Sequence, residues 1–131
     1  MIVDTQSNSV SVSSAGQAPL LLYQKQENKV SEVELKVDLP LGIMEGAEYQ
    51  ETVLNLKSGD KLVVFTDGVS EARNIRQQEF GTQAVKNLFL EKKDLSAQGL
   101  LVALKDNLRS FSRSCPQHDD ITLIILEKAI A

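Results

Sequence analysis

The sequence predicts an α/β layered domain of the α+β type, built on largely antiparallel sheets, and three observations carry that expectation. Residues 2–56 read as a succession of short strand-like stretches. After Thr66-Asp67-Gly68 the apolar residues recur at helical spacing, and a last apolar run, residues 121–126, returns to strand character. Strands first, then two helices, then a strand is the order expected when helices cover one side of an antiparallel sheet.

Each element has its own local reason. Val10, Val12 and Ser14 alternate onto one face, and Leu20-Leu21-Leu22-Tyr23 forms a more buried strand after a turn or bulge at Ala15-Gly16. Residues 25–29 are polar and hairpin-like. Val33, Leu35 and Val37 alternate with Glu34 and Lys36, which predicts a strand with one wet face. Leu39-Pro40-Leu41-Gly42-Ile43 places a proline and a glycine inside an apolar run, so it is expected to form an irregular loop with its side chains tucked under the sheet. Residues 51–56 alternate as a further strand, closed by the turn sequence Lys57-Ser58-Gly59-Asp60. Leu62-Val63-Val64-Phe65 is continuous and rich in β-branched residues, as expected of a central strand buried on both faces. Ala84, Val85, Leu88 and Phe89 mark one amphipathic helix; Leu100, Leu101, Leu104, Leu108 and Phe111 mark another, with Ser96 as its N-cap. The stretch 112–120, holding Cys115-Pro116, is a loop.

Composition limits the function. At 42% apolar and 24% charged over 131 residues, the chain has globular averages and room for one core. Its net charge of -4 and its 14 basic residues, scattered along the chain, argue against a nucleic-acid surface. One cysteine forms no internal disulfide or Cys-rich zinc site, which points to the cytoplasm. No apolar run approaches the ~20 residues that span a bilayer, so no membrane insertion is expected.

Carboxylates stand at the ends of two strongly apolar strands, Asp67 after residues 62–66 and Asp119-Asp120 before residues 121–126. A charge at the edge of a core is costly unless a cation, a metal or several donors meet it. Two explanations are open. The strand ends lie side by side and hold oxygen-loving divalent ions, with Gly68 permitting close backbone approach; or Asp67-Gly68 is a turn and Asp119-Asp120 a cap. His118 adjoins the acidic pair and is either a proton donor or phosphate contact, or a solvent-exposed loop residue. Cys115 reads as a quiet loop thiol: a Cys-x5-Arg phosphatase loop requires arginine at position 121, which is isoleucine. No nucleophile elbow, Walker loop or His-Glu-x-x-His occurs.

Taken in order, Ser14-Ala15-Gly16-Gln17-Ala18-Pro19-Leu20-Leu21-Leu22, Leu39-Pro40-Leu41-Gly42-Ile43, Leu56-Lys57-Ser58-Gly59-Asp60, Phe65-Thr66-Asp67-Gly68-Val69-Ser70-Glu71-Ala72-Arg73-Asn74, Phe80-Gly81 and Asp119-Asp120-Ile121-Thr122-Leu123 resemble the SpoIIE-like (RsbU-type) branch of the bacterial metal-dependent protein serine/threonine phosphatases, the PPM family. The resemblance implies a PPM-type antiparallel β-sandwich flanked by helices, with two Mn2+ or Mg2+ ions at one edge. It implies Asp67 as a ligand of one ion and Asp119 as a ligand of the other or of both, with Gly68 in the same tight loop. Glu71 matches a carboxylate position near an additional, weaker metal; the other reading makes it a helix-start acid favoured by the dipole. Asp120 is expected to begin the last strand through hydrogen bonds, and Arg73-Asn74 to be structural.

The implied reaction is hydrolysis of phosphoserine or phosphothreonine by water that the ions activate, with no nucleophile from the protein. The implied substrate is a phosphorylated STAS-type anti-sigma-factor antagonist, within a parent that carries an upstream sensor or regulatory domain. Two departures stand out. The Asp-Gly motif that carries the bridging carboxylate in this family does not precede Ser14, and Gln17 stands where relatives carry histidine. Residues 1–131 are therefore expected to be the C-terminal part of a domain that runs to roughly 200 residues, weakly active or inactive alone. A non-catalytic, phosphatase-like interaction module, closing its exposed sheet edges as a homodimer or on a regulatory partner, is the competing expectation.

Overall fold

The computed structural model describes residues 1–16, 19–35, 39–113, 115–117 and 119–130. Ten elements follow one another: β1 (Ile2–Asp4), β2 (Ser9–Val12), β3 (Leu20–Gln24), β4 (Lys29–Glu32), β5 (Thr52–Asn55), β6 (Lys61–Phe65), α1 (Asp67–Ser70), α2 (Gly81–Glu91), α3 (Ala97–Phe111) and β7 (Leu123–Glu127). The strands form two antiparallel sheets, of order β1-β2-β5 and β4-β3-β6-β7. This is the expected α+β architecture.

The period-2 alternation of strand side chains explains the layering. In β3, Leu20 and Leu22 face one way and Leu21 and Tyr23 the other; in β6, Leu62 and Val64 oppose Val63 and Phe65. The first set meets Val10 and Val12 of β2 and Leu54 and Leu56 from the three-stranded sheet, making the core between the sheets. The second set meets Val69 of α1, Val85, Leu88 and Phe89 of α2, and Leu100, Leu104 and Leu108 of α3. The four-stranded sheet is thus buried on both faces. That is why β6 carries an unbroken apolar run, its register pairing Val63 with Leu21 on one side and Ile125 on the other.

Turn chemistry closes the hairpins. Asn8 and Asn28 take the left-handed backbone conformation at φ 56° and 49° at the ends of the β1–β2 and β3–β4 turns, a conformation asparagine tolerates better than most residues. The turn after β5 is pinned by Asp60. Its carboxylate, only 4% exposed, accepts from the Lys25 and Lys57 amides, each at 2.9 Å. The Ser96 hydroxyl caps α3, accepting from the Gly99 amide at 3.2 Å.

Three expectations are corrected. The strand placed on Val33, Leu35 and Val37 lies earlier, at Lys29–Glu32, because the tight turn at Asn28 starts the pairing with β3 at Lys29. Val33 and Leu35 still pack on the inter-sheet core, the Val33 amide donating to the Leu20 carbonyl of β3 at 2.8 Å just past the end of β4, and Val37 lies outside the described residues. The Leu39-Pro40-Leu41-Gly42-Ile43 loop does not tuck under the sheet: Leu41 is 76% and Ile43 64% exposed. Pro40 instead abuts the Ala15-Gly16 turn, where a Cβ on Gly16 would stand 3.1 Å from the Pro40 Cγ. The last strand begins at Leu123 rather than at Ile121. Among the described residues no helix is long and apolar enough to cross a membrane.

Candidate functional site

The two acidic loops follow from the pairing of β6 with β7. Antiparallel register sets Phe65 opposite Leu123, so the chain leaving β6 and the chain entering β7 emerge at the same end of the sheet. Thr66 extends the ladder beyond the last strand pair. Its amide donates to the Thr122 carbonyl at 3.1 Å. Its hydroxyl donates to the Asp120 carbonyl at 3.0 Å and accepts from the Thr122 amide at 3.0 Å.

Immediately beyond, Asp67 opens α1 and Gly68 lies against the opposite loop. A Cβ on Gly68 would overlap the Asp120 carbonyl oxygen, stand 2.9 Å from the Asp120 carbonyl carbon and 3.3 Å from the Asp119 carbonyl oxygen. Only glycine lets the two backbones approach this closely. Asp67 and Asp119 therefore sit on loops in van der Waals contact. Both side chains reach solvent. The Asp119 Oδ1 accepts from the Asp120 amide at 2.7 Å, which fixes that carboxylate against its own loop, and Gln117 donates from Nε2 to the Asp119 carbonyl at 2.8 Å.

The other residues singled out from sequence resolve as follows. Asp120 works through its backbone, accepting the Thr66 hydroxyl. The expected turn at Asp67-Gly68 is a short helix, α1, held in the core by Val69. Glu71 is the residue that ends α1, its amide donating to the Asp67 carbonyl at 2.8 Å, so the helix-start reading of Glu71 is wrong. Arg73 and Asn74 shape a loop: the Arg73 guanidinium pairs with Glu79 at 3.1 Å, and the Asn74 Oδ1 accepts from the Arg76 and Gln78 amides. His118 and Gln17 lie outside the described residues.

A cleft of about 960 Å3 opens beside the acidic loops, lined by Gly68, Glu71, Asp119 and Cys115 and by residues of α3 and the chain that follows it. Among the described residues, no three carboxylate, histidine or cysteine side chains converge tightly enough to hold a metal ion. The donor chemistry that is present, two carboxylates amid backbone carbonyls, suits a hard divalent ion such as Mg2+ or Mn2+ rather than a soft one. The missing Cβ of Gly68 lets the Asp119 and Asp120 carbonyls close up against α1, so backbone oxygens stand beside the two carboxylates. The residues thus fit such an ion as part of a coordination shell, one that needs further oxygen ligands to close.

A family model for Stage II sporulation protein E (SpoIIE) matches residues 1–129. The chain belongs to the SpoIIE family. The phosphoserine phosphatase RsbU of Bacillus subtilis is 32% identical over 127 residues, covering 89% of this chain and 34% of RsbU. The fold matches the SiaA PP2C domain of Pseudomonas aeruginosa at a TM-score of 0.77 and 19% identity, over 95% of this chain and 48% of that one. It matches the Mn-presoaked phosphatase domain of SpoIIE from Bacillus subtilis at 0.69 and 21% identity, over 98% of this chain and 54% of that one. The fold of this SpoIIE-family chain is accordingly that of PP2C phosphatase domains. It spans about a third of RsbU and about half of each structural relative.

Proposed function

We propose that this chain is the C-terminal portion of a metal-dependent phosphoserine/phosphothreonine phosphatase domain, with Asp67 and Asp119 its carboxylate ligands to Mn2+ or Mg2+. The observation that carries this reading is the seating of Gly68 on the Asp119-Asp120 backbone, which brings two acidic loops distant in sequence together beside a cleft that Gly68 and Asp119 line. Similarity to a phosphoserine phosphatase, at 32% identity over 127 residues, supports the reaction class. Bound there, divalent ions would supply charge neutralisation of phosphoryl oxygens and activation of water.

The chain's own residues have positioning roles. Thr66 ties the two loops together through its hydroxyl, and Asp119 is held by the Asp120 amide. Glu71, on the wall of the cleft, is a further oxygen donor for an added cation. Cys115 takes no part. The natural substrate on this reading is a phosphorylated STAS-type regulatory protein, and the remaining ligands come from the N-terminal portion of the domain.

Titration calorimetry with Mn2+ tests the assignment. Asp67→Asn and Asp119→Asn should each weaken binding by about tenfold or more, since affinity for hard cations follows the number of charged oxygen ligands. Unchanged affinity in both variants overturns it. A second reading, a non-catalytic module that binds a regulatory partner, is favoured by the absence of a three-ligand cluster among the described residues. That reading requires partner binding to survive both substitutions while phosphatase activity is missing from the wild-type domain as well.

A further inference from the structure

The 14 basic residues look scattered in sequence, yet the fold gathers four of them, Arg73, Lys105, Arg109 and Arg113, on the lining of the cleft that also holds Glu71 and Asp119. Arg73 is neutralised by Glu79. Lys105, Arg109 and Arg113 are exposed, and among the described residues none of them makes an ion pair. Three cations without an ion pair among the described residues, at four-residue spacing in a chain of net charge -4, call for a reason. Like charges at this spacing oppose helix formation. The helix dipole favours Arg109 in the last turn of α3 and Arg113 just past the Ser112 cap, but does not account for Lys105.

The placement follows from helical geometry. Leu100, Leu104 and Leu108 form the row of α3 that enters the core, and the basic row lies one residue further round, along the shoulder of the helix. Leu108 also reaches the cleft. The basic row therefore runs beside an apolar floor. From Lys105 to Arg109 the helix rises about 6 Å, and Arg113 follows just past the Ser112 cap.

We propose that Lys105, Arg109 and Arg113 form a recognition subsite for an acidic segment of the partner protein, a run of carboxylates next to the phosphorylated residue presented to Asp67 and Asp119. The proposal rests on the phosphatase reading for where the phosphorylated residue lies. Its own content is that this row selects carboxylate-rich sequence, and that content is measurable without any metal.

Fluorescence anisotropy in EDTA reads it directly, using a labelled short peptide rich in glutamate and its counterpart with glutamine at the same positions. The glutamate peptide should bind about tenfold more tightly than the glutamine peptide at low ionic strength, with the difference shrinking as salt is added. The triple variant K105Q/R109Q/R113Q should lose that preference. The charge-reversed K105E/R109E/R113E should prefer a lysine-rich peptide instead, and circular dichroism of both variants checks the fold. Equal binding of the two peptides, no binding of either, an unchanged preference in the triple variant, or tighter binding of a single-stranded oligonucleotide than of the glutamate peptide overturns the proposal. Failure of the Mn2+ assignment is read separately, by calorimetry on Asp67→Asn and Asp119→Asn.

Discussion

Gly68 and Asp120 are in backbone contact across the β6–β7 exit, with no room for a Cβ between the Gly68 Cα and the Asp120 carbonyl. Gly68→Ala must push the Asp119-Asp120 loop away or twist α1. Forcing atoms into a packed contact costs roughly 1–3 kcal/mol, so urea unfolding should show a loss in that range. Mn2+ affinity should fall in the same variant, because the displaced loop carries Asp119. Retention of full stability and full affinity would mean that the loops separate at no cost, and the site geometry described above would then be wrong.

Thr66 supplies the polar half of the same junction, one hydroxyl donating to the Asp120 carbonyl and accepting from the Thr122 amide. Thr66→Val keeps the shape and removes both bonds. The expected loss is roughly 1–3 kcal/mol, from two hydrogen bonds each worth about 1 kcal/mol. Thr66→Ser, which keeps the hydroxyl, should recover most of it. Amide hydrogen exchange at Thr122 should rise in the valine variant alone; equal protection in both would show that the hydroxyl does not hold this end of β7.

At the sheet edge, the buried Lys61 and the half-buried Glu127 form a cross-strand pair, directly opposite in register and 3.5 Å apart. The Lys61 Nζ also donates to the Lys93 carbonyl at 2.8 Å and lies 5.3 Å from the Tyr23 ring centroid, while the Glu127 Oε2 accepts from the Ala97 amide at 2.8 Å. The pair thus fastens the connection between α2 and α3 to the edge of the sheet. Lys61, 4% exposed, is left as an uncompensated charge if Glu127 is truncated. Glu127→Ala should therefore cost about 3 kcal/mol, and Lys61→Met somewhat less, since its apolar stem is replaced in kind. In a double-mutant cycle the two losses should not add. Strict additivity would show that the pair is not coupled.

How far the fold was legible follows from periodicity. β3, β6, α2 and α3 are long or strongly patterned, and their side-chain spacing alone identifies them. β4 was misplaced because Val33 and Leu35 alternate and are half-buried just past its end, where the Val33 amide still bonds the Leu20 carbonyl, so burial there extended the sheet pattern beyond the strand. The exposure of Leu41 and Ile43 has no sequence signature, since an apolar loop reads the same whether it packs or not. At the site, Asp67, Gly68 and Asp119 were visible as acids and a glycine at strand ends. Thr66 was missed, because a hydroxyl bridging two loops requires knowing which loops meet. The basic row was missed too, although Lys105 and Arg109 on an identified helix, with Arg113 four residues further along the sequence, were there to be found.

Alkaline pH tests the packing of the helical layer against the sheet. Burial raises the Tyr23 phenol above its ordinary value, and the charges of Asp94 and Asp60 add to the effect. The folded protein therefore holds this proton to higher pH than the unfolded chain does. The stabilisation is complete below the ordinary tyrosine value of about 10 and is lost as pH rises from there through the folded value, because only the unfolded chain ionises freely in that window. Tyr23→Phe removes the titrating group and keeps the ring under Lys61. Thermal melts taken from neutral pH upward should show the wild type losing stability more steeply than the phenylalanine variant above about pH 10, and parallel curves would place the Tyr23 hydroxyl in water rather than in the core.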